Sequence, residues 1–74
     1  MQTQSHAQRV ADEVRAAMAR RRVTQTMVAD RLNMSQAAVS RRLSGSVAFD
    51  VNELAAVADL LGIESADLLA RSAS

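Results

Sequence analysis

Four residues near the middle of the chain, Gln36, Ala37, Ser40 and Arg41, have types and a spacing that could read a patterned polar surface. At roughly 100° per residue of an α-helix they share one side with Ser44, while Val39 and Leu43 fall on the other. A Gln amide pairs with adenine through two parallel hydrogen bonds, and an Arg guanidinium pairs in the same way with guanine. Ala37 offers its methyl to a thymine methyl, and Ser40 reaches either a base or a phosphate. The stripe carries no bulky aliphatic side chain. A solvated face on a small helical bundle would look much the same, so the decision falls to the elements that hold the stripe.

Those elements are two short helices and the turn between them. Thr24 is placed to cap the first and Ser35 the second, each through its side-chain oxygen. Asn33 stands between them, one of the few non-glycine residues that tolerates a left-handed backbone. Val28, Ala29 and Leu32 recur as one face of the first helix, and the small Ala29 lets the two helices approach closely. Met34 is expected to pack inward and Met27 to lie on the outer side. The second helix, expected over about 36–44, can lie in a DNA major groove when carried on such a pair. The exposed first turn at Gln25 and Thr26 offers free N–H groups and a positive dipole end to a phosphate.

The segment T-Q-x-x-V-A-D-R-L-N-M-S-Q-A-A-V-S-R-R-L-S-G resembles the helix-turn-helix of the phage repressor and Cro-type transcription regulators. The likeness continues through F-D-V-N-E-L-A-A-V-A-D-L-L-G-I and covers about residues 10–69. It implies a lambda-repressor-like, all-α bundle of five helices with the helix-turn-helix at helices 2 and 3. It also implies that Gln25 touches the DNA backbone and braces Gln36. The chain departs from the family pattern at two places: Asn33 stands where Gly is usual in the turn, and Arg42 stands where an apolar residue is usual. Leu43 is expected to take over that packing.

The rest of the chain supplies a scaffold. Ser5 and Gln8 form a capping-box pattern that starts helix 1 at about residue 6. Val10, Val14 and Met18, flanked by Ala11 and Ala17, make its buried stripe, and the run Arg20 to Arg22 closes it against the negative dipole end. Gly45 caps the recognition helix. Asp50 and Glu53 form a second capping box, with Phe49 and Leu54 as its hydrophobic staple. Leu54, Val57, Ala58 and Leu61 give the buried face of helix 4, Gly62 ends it, and Ile63 plugs the turn. A last helix over about 65–70 is expected to return Leu68 and Leu69 to the core. Residues 1–5 and 71–74 are expected to be tails, with 1–4 disordered, around one domain over 6–70.

Composition narrows the function. The 74 residues include no Cys and one His, which leaves no disulfide framework and no Cys-based zinc site, and His6 has no partner in a local pattern. No apolar run approaches the ~18 residues of a membrane span, and the polar start M-Q-T-Q-S is unlike a signal peptide, so a bacterial cytoplasmic or nucleoid location is expected. All nine basic residues are Arg. Six of them fall between Arg20 and Arg42 against one acid, Asp30, while five acids and no basic residue lie from Asp50 to Asp67. A compact fold of this order would have a basic and an acidic side, and a basic face is the footprint of nucleic-acid binding.

These readings converge on a sequence-specific double-stranded DNA-binding regulator, with repression favoured because the resembled family leans that way. Base reading falls to Gln36, Ala37, Ser40 and Arg41, and phosphate contact to Gln25, Thr26, Arg42 and Ser44, with Arg20 to Arg22 as further candidates. No metal or cofactor is called for. One recognition helix spans few base pairs, so two copies on half-sites, dimerisation through a further C-terminal region, or a monomer on a short site all remain open. The competing class is a protein-interaction module, such as an antitoxin or adaptor domain, using the acidic stretch. An enzyme is disfavoured: the sequence has no paired carboxylates beside a cleft and no Gly-rich phosphate loop.

Overall fold

The computed structural model describes residues 4–73. Five helices follow one another: α1 (His6–Arg21), α2 (Gln25–Leu32), α3 (Gln36–Leu43), α4 (Val51–Leu61) and α5 (Ser65–Ser72). The described residues contain no strand. α1 is the central element, packed on α3, α4 and α5, while α2 packs on α3 and α4. Each helix sends one large, fully buried side chain inward: Val14, Val28, Val39, Val57 and Leu68. Each such burial is worth ~1.5–3 kcal/mol. The centre is therefore assembled jointly, with no helix owning it.

Local chemistry sets where the helices begin. The side chains of Ser5, Thr24, Ser35 and Asp50 accept from the backbone N–H groups of Gln8, Met27, Ala38 and Glu53. The boxes at Ser5–Gln8 and Asp50–Glu53 are closed in both directions. Thr24 has one as well, an arrangement that did not stand out in the sequence: the Met27 thioether accepts from the Thr24 N–H at 3.4 Å. That gives the outward Met27 a local partner. α5 starts at Glu64 without a side-chain cap.

The ends of α1 to α4 share one device. A single left-handed residue, respectively Arg22, Asn33, Gly45 and Gly62, reverses the chain. In each case the N–H of the following residue returns to the carbonyl five positions back: Val23 to Met18, Met34 to Ala29, Ser46 to Arg41 and Ile63 to Ala58. Such bonds satisfy carbonyls that a helix end leaves orphaned. Asn33, at φ 54°, fills the role foreseen for it. Arg22, expected as part of a cationic helix end and as a further phosphate candidate, is itself the left-handed residue, at φ 55°.

Three expectations near the two ends of the chain change. α5 runs to Ser72, two residues past the expected end at 70, because Ser72 is buried and its hydroxyl donates to the Leu69 carbonyl at 2.8 Å. Leu69, expected in the core beside Leu68, is 42% exposed, since adjacent helical positions lie about 100° apart and Leu68 takes the inward one. At the other end, Gln4 is engaged: its carbonyl accepts from Arg9 at 3.3 Å and its amide donates to Asp12. The disorder expected for residues 1–3, and Ser74 of the tail, lie outside the described residues.

Candidate nucleic-acid interface

α3 is eight residues long, too short to hold its shape in water alone. Its neighbours hold it from three sides. Val39 and Leu43 anchor it in the core. From α1, the Arg15 guanidinium donates to the Leu43 carbonyl at the end of α3 while also pairing with Asp12. From α4, Glu53 grips Arg42, with Nε to Oε1 at 2.9 Å and the second nitrogen to Oε2 at 3.3 Å. From α2, the Gln25 amide donates to the Gln36 carbonyl at 3.0 Å.

With α3 held in this way, Gln36, Ala37, Ser40, Arg41 and Ser44 are all exposed. Among the described residues, the Arg41 guanidinium makes no hydrogen bond or ion pair. Ser40 likewise keeps its hydroxyl free of side-chain bonds. Gln36 is more constrained: its Nε2 donates to the Thr26 hydroxyl at 3.0 Å. The contact between Gln25 and Gln36 implied by resemblance is therefore made to the Gln36 main chain, and it is Thr26 that holds the Gln36 side chain. Gln25 is half-buried and Thr26 exposed, both at the first turn of α2, where helix geometry leaves backbone N–H groups without intrahelical partners.

Two members of the expected phosphate set sit differently. Arg42 is turned inward: its side chain is 18% exposed, it forms a two-pronged pair with Glu53, and it donates to the Ala38 carbonyl at 3.0 Å. Its guanidinium is committed to joining α3 and α4, which removes it from the group facing outward. An arginine at this position is thus accommodated by a carboxylate on the next helix, while the adjacent Leu43 is buried. Ser44 is exposed, but its hydroxyl donates to the Arg41 carbonyl at 2.9 Å. That carbonyl also accepts from the N–H groups of Ser46 and Val47.

The loop after α3 is seated against α1. A Cβ placed on Gly45 would come within 2.7 Å of the Gln8 Cα, and its φ is +84°. Only glycine satisfies both the left-handed turn and the close approach. The charge asymmetry of the sequence is likewise reshaped by packing. Arg31 pairs with Asp59 at 2.7 Å across α2 and α4, and Arg42 pairs with Glu53 across α3 and α4. Part of the predicted basic side is therefore spent on the acidic side. Arg20, Arg21, Arg22 and Arg41 make no ion pair among the described residues.

Sequence reasoning missed Arg15, Thr26 as the holder of Gln36, and the second task of Glu53. The Glu53 capping role was legible because its partner is three residues away; Arg42 is eleven residues away and on another helix. Elsewhere, an open apolar groove of about 220 Å³ is lined in part by His6, Phe49, Val51, Leu54 and Leu69, and by none of the outward residues of α3. Among the described residues no group of His, Asp or Glu is placed to hold a metal ion, and no helix is long and apolar enough to cross a membrane.

The arrangement is a helix-turn-helix: α2 and α3 joined by a left-handed turn, with the second helix presenting a polar, cationic stripe. Residues 9–71 match the family model described as a helix-turn-helix domain. The chain belongs to that family of DNA-binding domains, whose members are typically not enzymes. Comparison with curated proteins and with solved structures finds no match.

Proposed function

We propose that this chain is a sequence-specific transcriptional regulator of the phage repressor and Cro type, acting as a repressor on double-stranded DNA. The observation that carries the reading is the exposure of Gln36, Ala37, Ser40 and Arg41 on a helix whose other sides are pinned to α1, α2 and α4. A rigid helix with a polar outer stripe enters the major groove without first having to be ordered. Arg41 pairs with guanine and Gln36 with adenine, while Ala37 and Ser40 contact neighbouring bases. Gln25 and Thr26 meet phosphate at the first turn of α2, and Ser44 does so by turning its hydroxyl away from the Arg41 carbonyl. Arg42 is left out of the contact set.

Two copies on half-sites about one DNA turn apart supply the affinity that one short helix lacks. Selection of preferred sites from random duplexes tests the proposal: a short motif, repeated as a palindrome and bound less tightly as salt rises, is the expected result. Absence of duplex binding at low salt overturns it. A second reading, a protein-interaction module such as an antitoxin or adaptor, has one observation in its favour. Val51 is 84% exposed and borders the apolar groove with Leu69, away from the α3 stripe.

A further inference from the structure

Gln36 is the first residue of α3, and both its main chain and its side chain are tied to the opening turn of α2. The main-chain tie, from the Gln25 amide to the Gln36 carbonyl, fixes where the residue starts. The side-chain tie fixes which way its amide faces. A Gln amide has two N–H donors and one carbonyl acceptor. With one donor spent on the Thr26 hydroxyl, one N–H and Oε1 remain for a base edge.

That leftover edge, a donor beside an acceptor, is the complement of adenine, which offers N7 as acceptor and N6–H as donor in the major groove. Guanine offers two acceptors there, N7 and O6. An unrestrained Gln could satisfy guanine by turning its whole NH2 group toward it. A Gln held by Thr26 has no second hydrogen to give and would set Oε1 against O6. An unmatched acceptor pair in a desolvated contact is costly.

From this geometry we infer that Thr26 is a specificity-setting positioning residue: its hydroxyl, by holding the Gln36 amide, makes the domain prefer adenine over guanine at the base Gln36 meets. The inference rests on the DNA-binding reading above, in which Gln36 meets adenine, and adds to it the residue that sets that preference. Thr26 keeps its own hydroxyl hydrogen, because it accepts from Gln36, and that hydrogen remains available to a phosphate.

The test compares the full chain with Thr26→Val, Thr26→Ser and Gln36→Ala by site selection and by titration of single-base variants of the selected duplex. Gln36→Ala identifies the base position, as the one whose preference collapses. At that position the unmodified chain is expected to favour adenine over guanine by on the order of tenfold. Thr26→Val should cut this ratio to about threefold or less while other positions keep theirs, and Thr26→Ser should restore it. Loss of a phosphate contact alone would weaken binding to every duplex alike and leave the ratio untouched. An unchanged ratio in Thr26→Val, or guanine or thymine preferred by the unmodified chain, overturns the inference and leaves DNA binding standing. Failure of the unmodified chain to select any motif overturns both. A melting curve for each variant separates unfolding from altered preference.

Discussion

Arg41 and Arg42 are neighbours on the same helix, yet they belong to different regions of the molecule. Arg41 stands on the outward stripe with its guanidinium free, whereas Arg42 lies in the seam between α3 and α4, gripped by Glu53 and the Ala38 carbonyl. The difference is about 100° of rotation and a carboxylate on the far side of a loop. Identical charges thus have different surroundings. One cation is exposed with no partner among the described residues, and the other, paired in a half-buried seam, helps fix the helix that carries both. Counting arginines along the chain merges the two.

The comparison can be broken outright at Gly45. Gly45→Ala adds a left-handed penalty of ~1–2 kcal/mol to a clash with the α1 backbone at Gln8. Overpacking of that kind costs a further ~1–3 kcal/mol. A stability loss of about 3 kcal/mol or more in denaturant unfolding is expected, with both regions disturbed together. A loss below about 1 kcal/mol would show that the loop is not seated as described.

Arg42→Ala breaks only the seam. It leaves Glu53 half-buried without its ion partner, and about 2 kcal/mol of stability should go, as for hydrogen bonds to charged groups. The base preferences of any selected motif should persist. A double-mutant cycle with Glu53→Gln should return a coupling of about 1 kcal/mol or more. Zero coupling would return Arg42 to the outward group.

Arg41→Ala breaks only the stripe. Discrimination at one base pair should drop by roughly 1.5 kcal/mol, about tenfold, if its fork is bidentate, while thermal stability stays within ~0.5 kcal/mol. Equal losses on selected and random duplexes would reduce Arg41 to a phosphate contact. Arg22→Gly sharpens the comparison from outside both regions. Relieving a left-handed arginine at the end of α1 should raise stability by up to about 1 kcal/mol, read as an increase in melting temperature, with the motif unchanged.

Ser5, Thr24, Ser35 and Asp50 announced the helix starts, and Asn33, Gly45 and Gly62 announced three reversals. The apolar periodicity named the buried Val14, Val28, Val39, Val57 and Leu68. All of these depend on partners within about five residues or on which way a helical position faces, and such information is written locally. The misplacement of Leu69 came from the same source: two adjacent leucines cannot both face inward on a short helix, and local pattern does not choose between them. Arg22 was hidden because arginine carries no preference for the left-handed region; the turn imposes it.

By itself, then, the sequence determined five amphipathic helices, the tight turn between the second and third, and a polar outer stripe on the third. Caps, turns and periodicity act over a few residues, where chain connectivity alone keeps the groups together. Only the tertiary structure decided that Arg42 serves Glu53, that Arg15 braces the end of α3, and that Thr26 holds the Gln36 amide. Those bonds join residues ten to twenty-eight positions apart. Their geometry comes into being only when five helices share one core.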